Sequence, residues 1–133
     1  MRVYTVAEAR ALLPQVIPVL ERLRDAFLRM RALEAAVSVD ARGATGDGNL
    51  ITTPWEHTSG DNLADTLERL LRGSIAKLEQ WGIELKDPEK GLIDFHHERD
   101  GEIVYLCYML GEPDISYWHT VNAGFAGRQP LGE

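Results

Sequence analysis

The dipeptide Asp100-Gly101 stands between two β-rich runs, Gly91-Leu92-Ile93-Asp94-Phe95-His96-His97 and Glu102-Ile103-Val104-Tyr105-Leu106-Cys107-Tyr108-Met109-Leu110. Asp-Gly between such runs is a strong signal for a two-residue hairpin turn. That turn fixes the pairing of everything beside it: Arg99 faces Glu102, His96 faces Tyr105, and Asp94 faces Cys107. Side chains alternate along a strand, so Asp94, His96, Tyr105, Cys107 and Met109 share one face. Ile93, Phe95, Val104, Leu106 and Tyr108 share the other, which is the better face for a core. The mixed polar face is then where a site belongs. A slip of one residue would exchange the two faces.

Upstream of Gly82 the apolar period is helical. Thr5-Val6-Ala7-Glu8 fits a capping box and starts a first helix. Pro14 and Pro18 remove backbone donors, which predicts a helix ending near Leu13 or a long one kinked there. Leu13, Val16, Leu20, Leu23, Phe27, Met30, Leu33 and Val37 then recur at three- and four-residue steps. A second helix is expected from Asp61 to Trp81, capped by Asp61 and ended by Gly82. Between them, 43–60 reads as a flexible loop rich in Gly and Thr, with Trp55, Glu56 and His57 carrying its chemistry. After the hairpin, Gly111-Glu112-Pro113-Asp114 is a turn and Ile115 to His119 a third strand. Asn122 to Glu133 holds too many Gly and Pro for a regular element.

The expected fold is therefore α+β: two long amphipathic helices on a three-stranded antiparallel sheet, with an irregular C-terminal tail. A chain of 133 residues suits one domain, 1–133, with the helices in residues 1–82 and the sheet and tail in 83–133. Met1 to Arg10 contains no apolar leader core, and the longest apolar run, Ile103 to Leu110, is too short to span a bilayer. Cys107 is the only cysteine, so no internal disulfide forms and a reducing, cytoplasmic setting is expected. Residues 1–42 carry seven Arg against five acids. The remainder carries seven bases against sixteen acids. A sheet half this acidic is a poor partner for phosphate backbones, which argues against nucleic acid. The arginines of the first helix are expected to pair with acids in the same fold or in a second copy of the chain.

On the polar face and just after it, Asp94, Cys107, Glu112 and His119 are residue types that ligate transition metals, although their spacing matches no standard motif. His96 and His97 are adjacent in a strand and point to opposite faces, so they cannot chelate one ion. Mid-strand burial would raise the Cys107 pKa and make the thiol inert as a nucleophile. The glycines at 43, 46 and 48 lack the Lys-Ser/Thr of a phosphate cradle. Arg128, between flexible glycines, has two readings: a fork for a ligand carboxylate or phosphate, or an internal ion pair with Glu112 or Asp94.

Gly91-Leu92-Ile93-Asp94-Phe95, Leu106-Cys107-Tyr108, Gly111-Glu112, Ile115-Ser116-Tyr117-Trp118-His119 and Gly124-Phe125-Ala126-Gly127-Arg128-Gln129-Pro130 together resemble a bacterial family of uncharacterised proteins, domain of unknown function 2203. Tyr4 to Pro14 is similar to that family's opening, so the resemblance spans nearly the whole chain. It departs where the family usually has Trp for Tyr108 and Pro for His96. The resemblance implies a bacterial cytoplasmic protein of unassigned activity, with Asp94, Cys107, Glu112, His119 and Arg128 in the shared pattern and His57 and His97 outside it.

Two readings of function follow. One is a small binding or interaction module, with Asp94, Glu112, His119 and Arg128 around a ligand on the sheet and tail, and a second copy of the chain as partner along the first helix. The other is a metal-dependent or small-molecule enzyme on the same residues. The candidate cofactor of this second reading is a divalent metal, with Glu112 and His119 as its donors.

Overall fold

In a computed structural model of the chain, residues 1–43 and 54–132 are described, and side chains over 1–36 and 62–132. Helix α1 (Val6–Gly43) and helix α2 (Pro54–Gln80) lead into strands β1 (Ile83–Asp87), β2 (Leu92–Arg99), β3 (Glu102–Met109), β4 (Tyr117–His119) and β5 (Gln129–Pro130). The strands form one sheet in chain order, each antiparallel to its neighbour.

The capping box closes as expected. Glu8 N donates to Thr5 Oγ1 at 3.0 Å and Thr5 N donates to Glu8 Oε1 at 2.9 Å. α1 does not end at Leu13; it runs unbroken through Pro14 and Pro18. Both prolines lie on the exposed side of the helix, where water can satisfy the carbonyls their missing N–H groups leave free. The apolar stripe turns the other way. Leu13, Val16, Leu20 and Leu23 are fully covered, whereas Phe27, Met30 and Leu33 are half-buried.

α2 begins at Pro54 and not at Asp61. Proline suits the first helical position, where its absent N–H would have no partner anyway. So 54–60, expected as loop, is helical, while 44–53 lies outside the described residues. The side chains of Trp55, Glu56 and His57 also lie outside them.

The hairpin keeps the expected register over its full length, from Arg99 opposite Glu102 to Leu92 opposite Met109. Asp100 and Gly101 both have positive φ, 53° and 81°, as a two-residue type I′ turn requires. The core face is as expected: Ile93, Phe95, Leu106 and Tyr108 join Tyr4, Val16, Leu20, Leu23 and Leu78 in one buried cluster between sheet and helices.

Two strands were not expected, so the sheet has five and not three. β1 is a five-residue edge strand directly after the glycine that ends α2. Its alternation of Ile83 and Leu85 with Glu84 and Lys86 carries the strand period, but over too few residues to stand out. β5 is two residues long and contains a proline, which only an edge position tolerates. It pairs Gln129 and Pro130 with Trp118 and Tyr117 of β4. A short 3-10 turn, Phe125–Gly127, precedes it. Gly127 is required there, because a Cβ at that position would collide with the Ala123 side chain. The tail expected to be irregular is thus tied to the sheet.

The arginines of α1 find acids and carbonyls within the fold. Arg10 donates to Ile115 O through Nε and a terminal nitrogen, Arg24 donates to Glu89 O, and Arg31 faces the Glu89 carboxylate at 3.2 Å. Among the described residues, no helix is long and apolar enough to cross a membrane.

Candidate functional site

The ladder places Glu84, Asp94, Cys107, Tyr117 and Pro130 in one row across the sheet, and Tyr105 opposite His119 in the next. Asp94 and Cys107 are direct neighbours on the face turned away from the helices. His119 sits diagonally from Cys107, a separation that a long side chain spans. Its ring reaches across β3, and Nε2 comes to 3.0 Å and 3.1 Å from the two Asp94 carboxylate oxygens. All three residues are about 98 % or more buried. One donor atom from each of Asp94, Cys107 and His119 lies within 4.8 Å of the others.

The other ring nitrogen fixes the place of one imidazole proton. His119 Nδ1 is 2.8 Å from the carbonyl oxygen of Thr120, which can only accept, so Nδ1 carries a proton. A neutral ring would then turn the Nε2 lone pair onto a carboxylate. A positive charge between them, a proton or a metal ion, removes that conflict. Burial pushes the Asp94 carboxyl above its ordinary range, against the pull of His119 and of the Cys107 hydrogen bond. Burial and the nearby Asp94 charge push the Cys107 thiol up to about 12.

Beside the cluster is a cavity of about 130 Å³, lined by Lys86, Asp94, Tyr105 and His119 and by apolar Leu92, Val121 and Phe125. Lys86 Nζ lies 4.8 Å above the Tyr105 ring and 2.8 Å from Glu84 Oε1. Tyr105 OH donates to Glu84 Oε2 at 2.7 Å, and His96 Nε2 lies 2.8 Å from the same oxygen. Burial pushes the Glu84 carboxyl up, but hydrogen bonds from Lys86 and Tyr105 outweigh it and leave the pKa below its ordinary value. Sequence reasoning missed Glu84 and Lys86, because both arrive on the overlooked strand β1.

Arg128 and Glu112 form a second, separate pair. One terminal nitrogen of Arg128 donates to both Glu112 oxygens, at 2.7 and 2.8 Å, and Glu112 Oε1 also accepts from Met109 N. The guanidinium is stacked between Tyr117 and Phe125, 4.1 and 4.7 Å from their centroids. Its Nε is buried without a partner among the described residues. Of the two readings of Arg128, the internal ion pair is the one formed. The four site residues expected from the sequence are therefore brought together as two pairs, Asp94 with His119 and Glu112 with Arg128. The three-donor group contains His119 but not Glu112, whose oxygens face Arg128. Cys107 takes the third place. His96 and His97 point apart, His96 toward Glu84 and His97 Nδ1 toward the Tyr4 carbonyl at 2.7 Å.

The residues of both pairs fall inside a match to the family described as "Uncharacterized conserved protein (DUF2203)", which covers residues 2–131. The chain belongs to this family. No curated protein and no solved structure matches the chain. Membership in DUF2203 therefore brings no activity with it, and the chemistry rests on the buried cluster itself.

Proposed function

We propose that this protein is a small binding module that holds a divalent transition-metal ion through Asp94, Cys107 and His119. The observation that carries the reading is the meeting of three chemically different donors in a buried cluster, with the His119 tautomer fixed so that Nε2 is the free donor. A backbone carbonyl on the far nitrogen is the usual way a protein orients a metal-bound histidine. The Nε2 to Asp94 separation of 3.0 Å is within about 0.4 Å of what two ligands at ~2.1 Å from one tetrahedral ion require. Thiolate with imidazole selects zinc-like ions over magnesium or calcium. The ion would join β2, β3 and β4 across the sheet. Because the buried thiol starts protonated, binding releases its proton and tightens as pH rises.

Elemental analysis of the purified protein, before and after dialysis against zinc, tests the reading. One equivalent of metal in the wild type and its loss in His119→Ala are expected. A wild type that takes up no zinc or cobalt would leave the cluster as a buried Asp94–His119 pair of purely structural use.

A further inference from the structure

Two of the three donor residues, Asp94 and His119, also form a wall of the 130 Å³ cavity, whereas Cys107 does not line it. Asp94 and His119 are thus shared between the donor cluster and the cavity wall. Three protein donors with an accessible fourth position is the arrangement of a metal that takes an exogenous ligand, in contrast to the closed four-donor set of a structural site.

The cavity limits what that ligand is. Its volume is well below the ~300–1,000 Å³ of sites for drug-sized molecules, so it admits only a few non-hydrogen atoms. Its polar lining includes Lys86, one of whose three ammonium donors goes to Glu84 at 2.8 Å, leaving others for a second acceptor. Leu92, Val121 and Phe125 also line it, and their side chains offer no group that solvates a charge. A short aliphatic carboxylate meets all three conditions: an oxygen for the metal, an oxygen for Lys86, and a small apolar end for Phe125. We propose that the fourth coordination position binds such a monocarboxylate, of the size of acetate or propionate. This rests on the metal reading and goes beyond it by naming the ligand class.

Cobalt(II) separates the two levels. In the cobalt-loaded protein a thiolate-to-metal charge-transfer band reports Cys107 coordination, and the visible ligand-field bands report the fourth position. Titration with propionate is expected to shift the visible bands saturably and leave the charge-transfer band in place. Lys86→Met is expected to weaken that titration about tenfold, the scale of one charge-assisted hydrogen bond, with cobalt stoichiometry read in the same samples. Full cobalt binding with visible bands that propionate does not move overturns the ligand proposal and spares the metal reading. The same holds if Lys86→Met titrates like the wild type. Failure to bind cobalt at all overturns both.

Discussion

Cys107 sits mid-strand between Asp94 on β2 and Tyr117 on β4, and its neighbours decide its chemistry. Moving the thiol from its ordinary value of 9.0 to about 12 cuts its thiolate at neutral pH by about a thousandfold. Metal-free protein should therefore resist disulfide reagents at pH 8, reacting only as fast as the sheet opens. Mass spectrometry of labelling against time, folded and in denaturant, measures this. A folded-state rate within a few-fold of the denatured one would mean that the thiol is not held as described. The same burial explains why the cysteine is unsuited to nucleophilic attack yet suited to a metal, since an ion removes the proton outright.

At the scale of elements, β1 brings Lys86 to the cavity and Glu84 beside it. Glu84 collects Lys86, Tyr105 and His96 around one carboxylate. Its pKa lies below the ordinary 4.5, so the unfolded chain binds its proton first as pH falls. The stability it contributes is present above pH ~4.5 and is lost as pH drops through the lower folded value. Glu84→Gln should accordingly be less stable than wild type at pH 6, by under about 1 kcal/mol for so exposed a group. The gap should narrow at pH 3. Urea unfolding at both pH values checks it; a gap that widens toward acid would reverse the sign.

The elements also show what the sequence could reveal. The hairpin register was legible residue by residue, because positive φ at two adjacent positions leaves few alternatives to Asp-Gly. The capping box was legible for the same reason: both of its hydrogen bonds are local. Asp94 and His119 were legible as candidates by type, but not as partners. Their meeting depends on β4 pairing with β3 and on a ring reaching across a whole strand. The continuity of α1 through two prolines was not legible either, since it depends on which side of the helix faces water. The Glu112–Arg128 pair was foreseen as one of two alternatives, and only the docking of β5 decides between them.

For the molecule as a whole, that docking is the step that completes the surface. β5 covers the outer edge of β4 with two residues, and Arg128 fastens the turn before it to Glu112 in the β3–β4 connection. Arg128→Met keeps the stacking length but removes the ion pair. It should cost about 2 kcal/mol, the scale of hydrogen bonds to a charged group. It should also raise hydrogen exchange at the Leu131 amide, which donates to Ser116 O at 3.0 Å, while amides of the β2–β3 ladder stay protected. A double-mutant cycle with Glu112→Gln should return most of the loss as coupling energy. Additive losses would mean the two side chains act independently.

The strictly sequential strand order has a temporal meaning as well. Every strand pairs with the one just before it in the chain, so the sheet grows by short loop closures, the least costly kind. The Asp94–Cys107–His119 cluster needs only the β2–β3 and β3–β4 closures, so it can assemble before β5 docks on the open edge of β4.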